Sequence, residues 1–290
     1  MAIGRSNLRG AWRGLALCLY LASRAPAAPA PGSYAIVSTV VSRPCDVALE
    51  RDCRAHHTEL RIAALAWKLG CQLASVGYAG PKVLIMHGNY SPGSTGMLSA
   101  QGWRLYNVTQ DLHALYTTVH GRPAPPLQLP PKKSSTVQPR NDGWATLYKL
   151  YAWSLADFEL VLHTDLDVVF TASPDAFMAA AFRSGLVFQA LPEKAHRGYY
   201  GLNTHMMLLR PNRDVFATLM TNALRGHFVP FTRTEQDVLE TMFPPEVSYR
   251  WNVTGGAVPW PRHKHWGPDA EKAICRRHTN CCPAPNERGR

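Results

Sequence analysis

The sequence predicts an α/β chain built on a mixed, mostly parallel sheet flanked by helices, and three observations carry that expectation. Short aliphatic and β-branched runs alternate with longer segments of helical periodicity from Tyr34 onward. The strongest run, residues 158–170 (FELVLHTDLDVVF), passes straight into two carboxylates, Asp165 and Asp167, separated by one leucine. With 290 residues, 46% hydrophobic and 18% charged, the chain suffices for one α/β domain with a substantial core, whereas two independent domains would be cramped.

Taken in order, Tyr34–Val41 (YAIVSTVV) reads as a buried strand. Residues 58–75 carry Leu60, Ala63, Ala64, Trp67 and Cys71 at helical spacing, and 82–86 makes a second strand. The glycine-rich SPGSTG stretch then precedes a short helical segment, and Trp103–Val108 makes a third strand. This rhythm is that of parallel strands joined by crossover helices. Residues 121–139 (GRPAPPLQLPPKKSSTVQP) are too proline-rich for regular structure and read as a surface loop or lid. An apolar helix over 144–155 delivers the chain into the Asp165 strand. Further strands are expected near 186–190 and 205–209, with helices near 213–224 and Glu235–Met242. No internal repeat is found.

The ends differ from this body. Arg5, Arg9 and Arg13 precede a short apolar run, 14–22, and then the small-residue stretch SRAPAAPAPG, the pattern of a secretory signal peptide over 1–30. The run is about half the length of a membrane-spanning helix, so a retained anchor, with membrane contact through it, is the weaker alternative. The domain is then expected over 31–266, followed by a Cys-rich basic tail, 267–290. Removing the signal takes four arginines from a chain of net charge +11, leaving about +7. Lys and Arg are scattered, apart from Lys132-Lys133 and Arg276-Arg277, and no nucleic-acid motif accompanies them, so a nucleic-acid partner is not expected. A positive cleft for a diphosphate, or a generically solvated surface, accounts for the same charge.

Of seven cysteines, Cys18 falls in the signal, leaving Cys45, Cys53, Cys71, Cys275, Cys281 and Cys282, an even set that suits disulfides in a secreted chain. A zinc cluster of Cys275, His278, Cys281 and Cys282 is the rival, with a spacing that fits no common finger. Sequons at Asn89, Asn107 and Asn252 agree with passage through the secretory pathway.

The acidic pair is the candidate chemistry. Successive strand side chains point to opposite faces, so Asp165 and Asp167 can serve one ligand only if the backbone leaves strand geometry at Leu166. Two hard oxygen donors at an open strand end suit Mn²⁺ or Mg²⁺, with further positions left for water and substrate phosphate. The same pattern also marks simple strand-to-turn transitions. No GxxxxGK[ST] or dinucleotide fingerprint occurs, so phosphate binding would rest largely on the metal.

Four blocks in order resemble glycosyltransferase family 8, the glycogenin-like retaining transferases of GT-A fold. TLYKLYAWSLADFELVLHTDLDVVF resembles the family's Lys-Leu helix and its strand closing in Asp-x-Asp. GLNTHMMLLRPN resembles its Phe-Asn-Ser-Gly-x-x-x-x-Arg-Pro block, TEQDVLETMF its Asp-Gln-x-x-Leu-Asn block, and Trp251-Asn252 its Tyr-Asn. The match runs from Tyr34 to Trp266. It implies a single nucleotide-sugar-binding domain that transfers a hexose from a UDP-sugar, with Mn²⁺ (or Mg²⁺) and retention at the anomeric carbon, to an acceptor the sequence does not identify.

The resemblance further implies roles for individual residues. Asp167 would be a direct metal ligand, and Asp165 would contact both metal and ribose. Lys149 would cover the diphosphate or donor sugar, Asn203 would contact sugar hydroxyls, and Lys264 would complete the donor site. Glu235 and Gln236 would lie on the β-phosphate and anomeric side as catalytic groups, with Glu235 one methylene longer than the family's Asp. Thr234 with Asp237 also reads as a helix N-cap. The carboxyl end departs from the pattern. Lys264 and Trp266 fit, but the expected upstream histidine is missing, leaving His263 or His265 to supply an imidazole to the metal. Two alternatives stand beside this reading: a secreted, catalytically inactive UDP-sugar-binding homologue, and a haloacid-dehalogenase-type phosphatase with Asp165 as nucleophile.

Overall fold

The computed structural model describes residues 33–42, 59–120, 143–192, 201–228, 234–243 and 263–265. The expected signal (1–30), proline-rich loop (121–139) and Cys-rich tail (267–290), together with Trp251 and Asn252, lie outside the described residues.

The first strand, β1 (Tyr34–Val41), pairs in parallel with β2 (Lys82–His87) on one side and β4 (Leu160–Thr164) on the other. β3 (Trp103–Val108) adds in parallel to β2, while β7 (Leu202–Leu209) runs antiparallel to β4 and β6 (Phe188–Pro192) antiparallel to β7. The result is a six-stranded sheet in the order β3-β2-β1-β4-β7-β6, mixed and mostly parallel as the sequence predicts. A two-stranded ribbon stands apart, in which β5 (Val168–Phe170) pairs antiparallel with β8 (His263–His265).

Helices cover both faces. On one lie α1 (Glu59–Ser75), α2 (Pro92–Ala100) and α4 (Asp175–Ser184), over Ile36, Val40, Leu84, Met86, Leu160 and Leu162. On the other lie α3 (Leu112–His120), a 3₁₀ helix (Gly143–Ser154), α5 (Arg213–Arg225) and α6 (Glu235–Met242), over Ala35, Val37, Val83, Ile85 and Val161. Both faces of β1, β2 and β4 are thus covered, which explains their continuous apolar runs. No described helix is long and apolar enough to cross a membrane.

Several local outcomes differ from the sequence reading. The 58–75 helix forms, but Ile62, Ala63, Ala66, Leu69 and Leu73 are its buried apolar side chains. Ala64 is exposed and Trp67 and Cys71 are half-buried. Gly70 sets this rotation: a methyl group there would strike Gln101 and Trp103, where Trp103 Nε1 donates to Gln101 Oε1 and Gln101 Nε2 donates to the Trp67 carbonyl. The glycine-rich stretch does not precede α2 but forms its first turns, because Ser91 caps it by accepting from Ser94 N–H and Pro92 needs no donor at that position. α3 and α4 were not legible as helices, each being only two to three turns long.

The helix expected over 144–155 is a 3₁₀ helix rather than an α-helix. From Thr146 to Trp153 every side chain except Lys149 is buried, so no single apolar stripe imposes a 3.6-residue period. Three residues per turn eclipse positions i and i+3. Tyr148 and Tyr151 accordingly stack with ring centroids 6.1 Å apart, and Tyr148 stacks on His87 at 4.1 Å. Trp153 is fully buried between Phe188 at 5.6 Å and Phe243 at 6.5 Å.

Beyond β7, Arg210 donates from Nε to the Leu186 carbonyl (2.9 Å) and from Nη2 to the Phe182 carbonyl (2.7 Å), closing the carboxyl end of α4. Asn212 then caps α5 by accepting from Asp214 and Val215 N–H. The sequons at Asn89 and Asn107 are both exposed.

An imidazole is among the polar side chains buried in this core. His163, fully buried on β4, shares a 2.9 Å hydrogen bond from Nε2 with Thr39 Oγ1. Burial, reinforced by the nearby Lys149 charge, pushes its pKa down to about 3, so the imidazole folds neutral.

Two outcomes are expected. Trp153→Ala should destabilise the fold by about 3–5 kcal/mol, read as a lower urea midpoint, because it empties an aromatic pocket that cannot collapse. His163 is protonated in the unfolded chain below about pH 6.5 but stays neutral when folded down to about 3, so its contribution to stability is lost as pH falls through that window. Urea titrations at pH 7, 6 and 5 should show His163→Gln losing less stability than the parent chain, by about 0.7 kcal/mol between pH 7 and 6 and about 1.2 kcal/mol between pH 6 and 5. Equal slopes would show that His163 does not carry the acid sensitivity.

Candidate active site

The site is assembled at the carboxyl end of β4. The ladder with β7 runs one step past the strand, where Asp165 N–H donates to the His205 carbonyl (2.8 Å). The backbone then turns, with Val168 N–H returning to the Asp165 carbonyl (3.3 Å), and β5 leaves the sheet. The departure from strand geometry around Leu166, needed if both aspartates are to serve one ligand, is therefore present. Asp165 is half-buried and Asp167 is exposed.

Lys149 joins Asp165 to a second carboxylate far along the chain. Its Nζ lies 2.7 Å from Asp165 Oδ1 and 3.1 Å from Glu235 Oε1, so one ammonium bridges two carboxylates and leaves one net negative charge. Glu235 is almost fully buried, with 2% of its side chain exposed, against 15% for Lys149 and 31% for Asp165. Burial alone would lower the Lys149 pKa, but the two carboxylates outweigh it and hold the group above the ordinary lysine value. Lys149 is thus a fixed cation and not a proton acceptor at neutral pH.

Two threonines complete the arrangement. Thr204 Oγ1 on β7 donates to Glu235 Oε1, and Glu235 N–H at the start of α6 donates to Thr146 Oγ1 (3.1 Å). Thr146 and Lys149 stand three residues apart, which the 3₁₀ winding places on one face, so backbone and side chain of Glu235 are both met by one row of the helix. Glu235 Oε2 is buried and meets no hydrogen-bond partner among the described residues.

Gln236 lies beside this cluster, buried, with its Nε2 donating to the Leu202 carbonyl and its Oε1 3.3 Å from Thr234 Oγ1. One turn later, Glu240 Oε1 accepts from Leu202 N–H (2.6 Å), so two residues of α6 clamp both backbone groups of the first residue of β7. Thr234 Oγ1 also accepts from Gln236 N–H (3.3 Å), capping α6 as its sequence position suggests. Asn203, half-buried, turns its Oδ1 back to His205 N–H (3.0 Å) and the His205 ring.

Of the residues singled out in the sequence, the structure therefore brings Lys149, Asp165 and Glu235 into contact. Gln236 and Asn203 flank them on α6 and β7. His263, Lys264 and His265 form β8, whose register sets His265 opposite Val168 and His263 opposite Phe170. The chain near its carboxyl end thus returns beside the Asp165-Leu166-Asp167 turn, while the side chains of 263–265 lie outside the described residues. No three His, Cys, Asp or Glu side chains converge as a metal centre among the described residues. The pair Asp165 and Asp167 nevertheless fits a hard divalent cation, which is commonly held by one or two carboxylates and completed by substrate phosphate oxygens and water.

Thr146, Thr204 and His163 were missed in the sequence. The available signal was a polar residue at a buried strand or helix position, and Thr204 sits in such a place between Leu202 and Met206.

No family model and no curated protein sequence matches the chain. Solved structures do resemble it. The galactosyltransferase LgtC, in complex with donor and acceptor sugar analogues, superposes with a TM-score of 0.50 at 14% identity, over 87% of this chain and 98% of that one. An active-site mutant of LgtC gives 0.51 at 14% identity over the same shares. Mouse xyloside xylosyltransferase 1 is more distant, with a TM-score of 0.41 at 11% identity over 83% of this chain and 99% of that one. The fold is that of a single GT-A-type domain, with its mixed, mostly parallel sheet between helices.

Proposed function

We propose that the protein is a retaining glycosyltransferase that moves a hexose from a UDP-sugar to an acceptor, using a divalent cation held by Asp165 and Asp167. The observation that carries this reading is the Asp165–Lys149–Glu235 bridge at the carboxyl end of β4, where open α/β sheets bind their ligands.

Departure of UDP builds negative charge on the β-phosphate oxygen. The cation, when bound, neutralises that charge as a Lewis acid. Asp167, exposed at the turn, would be its direct ligand, and Asp165 would hold it while reaching the ribose. Mn²⁺ or Mg²⁺ suits this oxygen-donor pair. His263 or His265, carried to the turn by β8, would add an imidazole, and Lys264 would belong to the donor site. Lys149 supplies a permanent positive charge to the pocket the diphosphate would occupy. Asn203 would bind sugar hydroxyls at the amino end of β7. Glu235 and Gln236 would define the side of the pocket nearest the anomeric carbon, Glu235 as a buried carboxylate fixed by Lys149 and Thr204.

The acceptor pocket would draw on 121–139 and on the segment after 192. Passage through the secretory pathway, to the ER and Golgi lumen or beyond, is proposed on the amino-terminal pattern and on Cys71. This is the one cysteine among the described residues, and it is disulfide-bonded, so its partner lies outside them. A catalytically lapsed UDP-sugar-binding protein is the second reading, favoured by the altered carboxyl-terminal motif. No observation favours the phosphatase.

The test is UDP release from a panel of UDP-sugars by the full chain, with Mn²⁺ or EDTA, beside Asp167→Ala. Release that requires metal and falls by about 100-fold or more in the variant is the expected outcome, a loss of about 3 kcal/mol of transition-state stabilisation. Full metal-dependent turnover by Asp167→Ala would overturn the assignment. Metal-dependent UDP binding with no release would select the lapsed binding protein.

A further inference from the structure

We propose that Lys149 is a two-position counter-ion that sets the affinity of the site for its metal: in the metal-free protein its ammonium neutralises Asp165, and on metal binding it withdraws onto Glu235. This inference rests on the metal reading of Asp165 and Asp167 given above, and concerns what this chain's own residues do when the cation arrives.

Three observations lead to it. First, one of the two Asp165 carboxylate oxygens is already taken, because Lys149 Nζ lies 2.7 Å from Oδ1, the shorter of its two carboxylate contacts, and a cation on that carboxylate meets the charge of the ammonium. A divalent ion and an ammonium cannot share that oxygen without strong like-charge repulsion at such short range. Second, Lys149 has somewhere to go. Glu235 Oε1 is 3.1 Å away and already holds the ammonium in part, while Glu235 Oε2 is buried and meets no hydrogen-bond partner among the described residues. An ammonium has three donors. A small rotation of Nζ toward Glu235 releases Asp165 and satisfies Oε2, the orphaned acceptor, so the buried charge is never left unpaired. Third, the receiving carboxylate is anchored from two other directions, by Thr204 at Oε1 and by Thr146 at its backbone N–H. Glu235 therefore stays in place while Lys149 moves.

The extra methylene of Glu235 gains a reason here. It carries the carboxylate out to the lysine, where it serves as the resting place of the displaced cation, and Glu235 is by this reading a positioning residue rather than a nucleophile. Lys149 is a positioning residue for the metal and its ligand Asp165.

A structural role alone would not predict metal affinities that move in opposite directions. Mn²⁺ binding to the full chain, without nucleotide, is measured by electron paramagnetic resonance for the parent, Lys149→Met, Glu235→Gln, the double variant and Asp167→Ala. Lys149→Met removes the competing cation and should tighten Mn²⁺ about tenfold. Glu235→Gln leaves Lys149 resting on Asp165 alone and should weaken it about tenfold. In the Lys149→Met background the Glu235→Gln effect should shrink to within about twofold, since Glu235 acts only through the lysine.

Lys149→Met alone leaves Glu235 buried and unpaired, and thermal unfolding shows whether it folds. If it does not, the double variant compared with Glu235→Gln isolates the lysine with the buried carboxylate already neutral, and should bind Mn²⁺ more than tenfold tighter. Unchanged or weaker Mn²⁺ binding on removal of Lys149 in either background overturns the proposal. So does a Glu235→Gln effect that persists undiminished without the lysine, which would make Glu235 a ligand itself. Asp167→Ala separates this from the parent reading: if it binds Mn²⁺ as the parent does, or the parent binds none, the metal site itself falls and the exchange with it. If Asp167→Ala loses Mn²⁺ while the lysine variants do not shift it, only the exchange is wrong.

Discussion

Burying an ammonium group beside a sheet is costly unless opposite charge meets it, and that requirement organises this end of the molecule. Lys149 is taken largely out of water and answered by Asp165 and Glu235, residues 16 and 86 positions further along the chain. Each brings a different element with it. Asp165 belongs to the strand end, Glu235 to the first turn of α6, and Lys149 to the 3₁₀ helix between them. Buried ion pairs are weak evidence for stability, since desolvation offsets most of the attraction. What they provide here is arrangement, because each charge is tolerated only where the other two are.

The sheet explains why these residues can meet. Parallel strands present their carboxyl ends at one edge, and β4 ends there with Asp165. β7 runs the other way, so it is the amino end of that strand, Leu202 to His205, that lies at the same edge. Asn203 and Thr204 thereby reach a site to which a parallel β7 would have contributed its last residues instead. α6 is then held against that strand end by Gln236 and Glu240, which bind the carbonyl and N–H of Leu202. The placement of Glu235 is a consequence of this clamp.

The chain turns sharply after Asp165, and the short ribbon of β5 with β8 carries the consequence into the carboxyl-terminal region. Glu235 joins this turn through Lys149 from the start of α6, where Thr234 caps the helix and Thr146 receives the Glu235 N–H.

The sequence by itself determined the α/β class, the limits of β1, β3 and α6, and the existence of a strand that ends in two carboxylates. These are local properties: a run of β-branched residues, a capping threonine or an Asp-x-Asp turn is selected by neighbours a few residues away. Helix rotation was less legible. Which residues α1 buries depended on Gly70, and its close contact with Gln101 and Trp103 is a fact of tertiary packing. Nor could spacing distinguish an α-helix from a 3₁₀ helix where nearly every side chain from Thr146 to Trp153 is buried. The meeting of Lys149 with Asp165 and Glu235, the threonines that steady it and the neutral His163 behind it were decided only by the tertiary structure. A charge has no periodicity, and its partner is chosen by which elements the sheet brings to one edge.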